Sequence, residues 1–313
     1  MNVLLFRNLS PTEVDRLRQE FPAVSFRQTT QSDEVLAAPD WPEVVFGNLP
    51  SAVARELTNL RWLQIVSSGI DDYLDLADTP VTVTTAQGLH AGIIAQHMLM
   101  MVLMFERGHA FFAAAQTQHA WQRRPDIPRP VSGLTLGLIG CGSIGREIAR
   151  LVQPLGIRII ATKRNPPSSP VPGVDECLPW AELDRLLAEA DHVVLALPLT
   201  RETRGVLDAS RIARLKPDAC VHNVSRGGLI DEPALLRALQ SGHVRGAALD
   251  TFDVEPLPPD NPWWTAPNVF VTPHIAGHHR ELGALTLDRF RTNLRRHVAG
   301  EPLQHQASLS RGY

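Results

Sequence analysis

Residues Gly140-Cys141-Gly142-Ser143-Ile144-Gly145 form a G-x-G-x-x-G run whose surroundings constrain the fold more than any other feature of the chain. An apolar stretch, Leu134-Thr135-Leu136-Gly137-Leu138-Ile139, leads directly into it, and a helical pattern from Ser143 to Leu155 leads out. A strand, a glycine turn and a helix in that order make the first part of a dinucleotide-binding βαβ unit. The first glycine permits the tight turn, and the second lets the backbone approach a pyrophosphate. The third lets helix and strand pack closely, and the amino end of the helix faces the phosphate charge. Gly140, Gly142, Ser143, Ile144 and Gly145 are therefore candidate cofactor-binding residues.

The same rhythm runs on in both directions. Apolar runs at Arg158–Ala161, Val193–Leu197, Ala219–Val224, Val244–Leu249 and Val269–Thr272 read as strands, with helices from Ser143, from Trp180 and over Arg280–Ala299. Upstream, Asn2–Phe6, Val44–Gly47, Leu63–Ser67 and Val81–Thr85 read as strands, with a helical signal around Ala52–Leu57. Ser10-Pro11-Thr12-Glu13 has the makings of a capping box, with proline at the first helical position. Strands alternating with helices imply an α/β chain with mostly parallel sheets covered on both faces. Between the two halves, Ala91 to Trp121 is rich in Ala, Met, Leu and Gln and free of proline, and reads as one long helix ended by Pro125, Pro128 and Pro130. That shift marks a domain boundary, and 313 residues suit two domains. Asn165–Pro172 reads as a short proline-rich loop.

Bulk properties narrow the function. A net charge of −3 leaves no footprint for nucleic acid or anionic membrane, and Arg123–Arg124 and Arg295–Arg296 are too short to be binding patches. No apolar run reaches the roughly 18 residues of a membrane span. Met1–Phe6 lacks a basic flank and a cleavage site, so it reads as a strand and not a signal peptide. The three cysteines, Cys141, Cys177 and Cys220, form no CxxC pair, which fits a reducing cytoplasm.

The end of the second strand after the glycine run discriminates between cofactors. An Asp or Glu there would bind the ribose 2′-OH of NAD. The chain instead reads Ile160-Ala161-Thr162-Lys163-Arg164-Asn165. Two cations attract a 2′-phosphate and offer little to a bare hydroxyl, so Lys163 and Arg164 point to NADP in preference to NAD, with NAD still possible.

Three motifs each follow a strand and place polar residues where open α/β sheets bind ligands. They are Asn223-Val224-Ser225-Arg226-Gly227-Gly228, Leu249-Asp250-Thr251-Phe252-Asp253-Val254-Glu255-Pro256 and Val271-Thr272-Pro273-His274-Ile275-Ala276-Gly277. Arginine supplies a bidentate fork, and histidine changes charge near neutral pH. With these motifs, Gly140–Gly145, Leu197-Pro198-Leu199-Thr200, Ser67-Ser68-Gly69-Ile70-Asp71, Gly300-Glu301-Pro302-Leu303 and the final Gly312-Tyr313, the chain resembles the D-isomer-specific 2-hydroxyacid dehydrogenases, which include glyoxylate/hydroxypyruvate reductases, over nearly its whole length.

The resemblance implies two Rossmann-like domains with parallel sheets. Residues 1–99 and 283–313 would form a discontinuous, flavodoxin-like substrate domain, and 100–282 the dinucleotide-binding domain, with hinge closure over the cleft. It implies His274 as acid/base, Glu255 as its carboxylate partner and Arg226 as the substrate-binding arginine. Backbone N–H groups of Ser68, Gly69 and Ile70 would hold the substrate carboxylate. Pro198, Thr203, Val224, Ser225, Asp250, His274 and Gly277 would join the glycine loop, Lys163 and Arg164 around the cofactor. It further implies a small 2-oxoacid as substrate and a homodimer, for which the helix up to Trp121 and the following loop are the candidate surface. A bulkier 2-ketoacid, or a cofactor-sensing corepressor role, are the alternatives. Gln96 stands where many members have Glu. The cluster His274, His278, His279 does not read as a metal site, because Pro273 and Gly277 interrupt a helix through it and no cysteine lies close in sequence.

Overall fold

The structure is a computed structural model that describes residues 1–166 and 169–312. Pro167 and Ser168 of the proline-rich loop, and the terminal Tyr313, lie outside the described residues. The chain divides into two compact units, Met1–His90 with His279–Tyr313, and Ala91–His278. The breaks fall at 90/91 and 278/279, so the helix that begins at Ala91 is not cut at 99/100. Its residues Ile94, Ala95, Met98 and Val102 share one apolar cluster with Ile148, Ala149 and Val152 of the second unit, which holds it there as one piece.

The first unit contains β1 (Asn2–Leu5), β2 (Ser25–Gln28), β3 (Val44–Phe46), β4 (Trp62–Gln64) and β5 (Thr82–Thr84). They form a parallel sheet in the order β2-β1-β3-β4-β5, the flavodoxin-like arrangement. Every residue of β3 and β4 is buried, as expected when both faces of a parallel sheet are covered. Alternate residues part to opposite faces. Val3, Leu5, Phe46 and Trp62 pack with Leu287, Phe290 and Leu294 of the final helix, Leu282–Val298, while Leu4, Val45, Leu63 and Ile65 pack in a separate cluster. The helix Pro11–Glu20 starts as the capping box requires, with Ser10 N–H donating to Glu13 Oε2 at 2.8 Å. The edge strand β2 was not evident in the sequence. Only Phe26 of Ser25-Phe26-Arg27-Gln28 is buried, so no apolar run marks it.

The second unit contains β6 (Thr135–Ile139), β7 (Arg158–Lys163), β8 (Glu176–Pro179), β9 (His192–Leu195), β10 (Ala219–Asn223), β11 (Val244–Leu249) and β12 (Val269–Val271). Its parallel sheet runs β12-β11-β10-β9-β6-β7-β8, which is the doubly wound dinucleotide-binding order extended by one strand. The strand order reverses beside β6, whose neighbours are β7 and β9. Again an edge strand, β8, escaped the sequence reading, because only Leu178 in it is buried.

The long helix also differs from its sequence reading. It breaks into Ala91–Glu106 and His109–Thr117, bent by 71°. Gly108 lies in the left-handed region (φ 66°), and a Cβ there would sit 2.1 Å from Ile127 Cγ2. The absence of proline concealed a break that a glycine makes. No single helix among the described residues is long and apolar enough to cross a membrane.

At the end of Ala91–Glu106 lies a polar network in the core. Glu106 and His222 are fully buried and His192 nearly so. Glu106 Oε1 meets His192 Nε2 at 3.0 Å and the Arg245 guanidinium, and His192 Nδ1 meets His222 Nε2 at 2.8 Å. A carboxylate can only accept here, so His192 donates from Nε2 and its Nδ1 accepts from His222 Nε2–H. Burial pushes the Glu106 carboxyl up, but the bonds from His192 and Arg245 outweigh it and bring it down to about 2. Burial holds both imidazoles below the ordinary histidine value, His222 far below it.

Candidate active site

A loop leaves the carboxyl end of each strand in the second unit, and the cofactor loop is the one after β6. Gly140 has φ 98°, and a Cβ on it would lie 2.5 Å from the Ala196 carbonyl oxygen beyond β9. A Cβ on Gly145 would lie 2.5 Å from the Gly140 oxygen, so helix Ser143–Val152 can approach β6 only with glycine there. A Cβ on Gly142 would meet nothing within 4 Å, so this glycine opens onto free space at the amino end of that helix. Turn, open approach and close packing are all present, and the residues fit a pyrophosphate. Ser143 and Ile144 begin the helix.

At the end of β7, Lys163 is half-buried and Arg164 exposed. Arg164 pairs with Glu202 from the loop after β9, a partner the sequence did not suggest because it lies 38 residues away. In that loop, Thr203 Oγ1 donates to the Pro198 carbonyl at 2.7 Å and accepts from Thr200 N–H at 2.7 Å. The Thr203 hydroxyl therefore shapes the loop from within.

Beyond β10, Asn223 builds the turn that presents Arg226. Its Oδ1 accepts from Ser225 N–H at 3.1 Å and its Nδ2 donates to the Arg226 carbonyl at 2.8 Å, while Ser225 Oγ donates to the Leu195 carbonyl at 2.9 Å. Val224 is buried in the core beneath. Arg226 Nη1 donates to the Ser225 carbonyl at 2.7 Å. Gly227 lies against the next loop, where a Cβ would be 2.0 Å from the Phe252 carbonyl carbon. The turn carrying Arg226 is thus pressed onto the loop carrying Glu255.

His274 and Glu255 are brought together. His274 Nδ1 meets Glu255 Oε2 at 2.7 Å, and Glu255 Oε1 accepts from Phe252 N–H at 2.9 Å. Both carboxylate oxygens are engaged, which fixes the carboxylate and makes Nδ1 the donor. The His274 side chain is 49% exposed, so its other nitrogen, Nε2, is the one presented to a reactant.

His274 also sits in the left-handed region, with φ 51°, which is uncommon outside glycine and asparagine. Asp250 holds it there. Its Oδ1 accepts from Thr272 Oγ1 at 2.6 Å and Ile275 N–H at 2.9 Å, and its Oδ2 accepts from Ala276 N–H at 3.0 Å. His274 N–H donates to the Asp250 carbonyl at 2.8 Å. Asp250 is 3% exposed, so this carboxylate is committed to the turn under the histidine, and Gly277 follows directly. His97 Nε2 reaches Thr272 Oγ1 at 3.4 Å, and burial lowers its pKa against the opposing charge of Asp250. Asn223 and Thr272 stood inside the motifs without an assigned part. Their types and positions were visible, but their partners were not.

In the first unit, Ser68, Gly69 and Ile70 follow β4 at the carboxyl end of its sheet, with Ser68 exposed and Ile70 buried. Ser67 Oγ donates to the Gly69 carbonyl at 3.0 Å and shapes this loop. Gln96 is exposed on its helix.

Comparison with known proteins agrees with this geometry. The family model described as D-isomer specific 2-hydroxyacid dehydrogenase, NAD binding domain, matches residues 99–276. The chain is 30% identical to a D-isomer specific 2-hydroxyacid dehydrogenase from Xanthobacter autotrophicus Py2, solved in complex with NADPH and MES, with a TM-score of 0.87 over 100% of this chain and 99% of that one. It is 26% identical to the NADPH-dependent glyoxylate/hydroxypyruvate reductase of Sinorhizobium meliloti, solved with NADP and sulfate, with a TM-score of 0.86 over 100% and 99% of the two chains. It is 32% identical to the (S)-sulfolactate dehydrogenase of Chromohalobacter salexigens over 77% of this chain and 81% of that protein. The chain spans about half, 53%, of the D-3-phosphoglycerate dehydrogenase of Mycobacterium bovis that it also matches. A doubly wound sheet with this glycine loop, and a histidine–glutamate pair in the family's motifs, belong to one lineage: the chain is a member of the D-isomer specific 2-hydroxyacid dehydrogenase family, NAD(P)-dependent oxidoreductases.

Proposed function

We propose that the protein reduces a small 2-oxoacid, of the size of glyoxylate or hydroxypyruvate, to the corresponding D-2-hydroxyacid with NADPH. The observation that carries this reading is the 2.7 Å bond between His274 Nδ1 and Glu255 Oε2, in a histidine whose side chain is half-exposed. NADPH, when bound, supplies the hydride to the carbonyl carbon. Gly140, Gly142 and Gly145 would hold its pyrophosphate, and Lys163 and Arg164 its 2′-phosphate.

The chain's own residues do the rest. The Arg226 fork binds the substrate carboxylate, assisted by the backbone of Ser68, Gly69 and Ile70. His274 as imidazolium donates its Nε2 proton to the carbonyl oxygen, which becomes the hydroxyl, and is left neutral with its Nδ1–H still donated to Glu255 Oε2. Asp250 is a positioning residue, since it holds the turn that aims the ring. Glu255 stabilises the imidazolium and keeps the ring oriented.

That division of labour has a kinetic signature. Glu255→Gln keeps a hydrogen-bond acceptor beside Nδ1 but removes the charge that stabilises the imidazolium. It should therefore lower kcat for reduction while leaving KM little changed. A variant with wild-type kcat would contradict the pairing.

A further inference from the structure

Within the second unit, two loops are tied together beside the glycine turn. β7 and β9 flank β6, and the strand order reverses there. In an open α/β sheet a dinucleotide lies outside the carboxyl ends of the strands at that reversal. The glycine turn touches both neighbours. Gly140 N–H donates to the Thr162 carbonyl of β7 at 3.2 Å, and on the other side Gly140 presses on Ala196, the first residue after β9. Arg164 leaves the end of β7, and Glu202 comes from the loop after β9. Their ion pair, Arg164 Nη2 donating to Glu202 Oε2, therefore joins the two loops across the end of β6.

Glu202 is presented from a stiffened turn. Besides the Thr203 hydroxyl bonds to Pro198 and Thr200, Thr203 N–H donates to Thr200 Oγ1 at 3.3 Å and Arg204 N–H to the Thr200 carbonyl at 3.0 Å. Thr203 is buried while Glu202 stands exposed beside it. A carboxylate on such a turn keeps its place when another anion takes the arginine. The pair itself is easily opened, since the two side chains are 55% and 68% exposed and water screens them. An arginine fork suits a carboxylate and a phosphate alike, and Glu202 already holds one of its donors.

We propose that Glu202 is a cofactor-selectivity residue: it competes with a 2′-phosphate for Arg164 and, once displaced, repels it. A bare 2′-hydroxyl meets neither cost, so Glu202 narrows the margin by which Lys163 and Arg164 favour NADP over NAD. This rests on the reading that these two cations receive a 2′-phosphate. The alternative part for Glu202 is to hold the loop after β9 in place, with no effect on which nucleotide binds.

Calorimetric titration with adenosine 2′,5′-bisphosphate and with adenosine 5′-monophosphate, which differ only in the 2′-phosphate, separates the two. The wild-type protein should bind the bisphosphate more tightly, and Arg164→Met should reduce that preference. Glu202→Gln should tighten the bisphosphate by about threefold to fivefold, the upper worth of an exposed charge pair, and leave the monophosphate nearly unchanged. The gain should shrink at high salt and in an Arg164→Met background. A Glu202→Gln protein with unchanged affinity for the bisphosphate, with weaker affinity for it, or with both nucleotides shifted equally overturns the proposal. The reading of Lys163 and Arg164 survives each of those results, provided that the wild-type preference for the bisphosphate depends on Arg164. Equal affinity for the two nucleotides, in the wild-type and Arg164→Met proteins alike, overturns that reading and the proposal together.

Discussion

His274→Ala should lower kcat for 2-oxoacid reduction by about 10²–10⁴-fold, the range that a positioned general acid contributes. In the proposed mechanism Arg226, and not His274, holds the substrate carboxylate, so KM should change little. Cofactor binding should survive, because the glycine loop and the Lys163–Arg164 corner stand on other strands. Stopped-flow reduction at saturating cofactor, compared with cofactor titration by fluorescence, reads the two quantities separately. A variant that keeps near-wild-type kcat would remove His274 from the mechanism. Alanine also relieves little of the turn's strain, because the left-handed backbone at 274 is imposed by Asp250 through three hydrogen bonds.

The second large effect concerns stability. Glu106→Gln should destabilise the protein by about 3–5 kcal/mol, because it leaves the partly buried Arg245 charge and the buried His192 donor without their carboxylate. Urea unfolding at pH 7 measures this, and a change within about 0.5 kcal/mol, as at an ordinary surface site, would contradict it. The same network sets a pH dependence. His192 and His222 have folded pKa values below the ordinary 6.5. As pH falls below that value, the unfolded chain takes up protons that the fold refuses. Stability should therefore fall on acidification from neutral pH, by up to about 1.4 kcal/mol per pH unit for each histidine. Glu106, brought down to about 2, adds stability above the ordinary carboxylate range that is lost only in stronger acid.

The site was more legible than the core network, for a physical reason. Gly140, Gly142 and Gly145 sit within one local turn, and their roles follow from backbone geometry that six consecutive residues determine. Arg226, Glu255 and His274 each follow a strand, so the alternation of strands and helices already places them at one edge. Edge strands were harder: β2 and β8 each bury one residue, and a polar four-residue segment carries no periodicity. The break at Gly108 turns on Ile127, 19 residues away, and one glycine in a helical pattern does not reveal such a neighbour. Pairings across strands were invisible for the same reason. Glu106 finds His192 and Arg245 from distances of 86 and 139 residues, and Arg164 finds Glu202 only because the loop after β9 folds beside β7. Asp250 stood in plain view in its motif. Its three donors, Thr272, Ile275 and Ala276, belong to another strand's loop, and only the folded chain brings them to its carboxylate.

The most direct test is to mix the purified protein with NADPH or NADH in parallel. Cofactor oxidation is then followed with glyoxylate, hydroxypyruvate, pyruvate and phenylpyruvate. Turnover of a small 2-oxoacid, with kcat/KM higher for NADPH than for NADH, is the expected result. No oxidation with any pair would contradict the proposed reaction, and a tenfold preference for NADH would contradict the part given to Lys163 and Arg164.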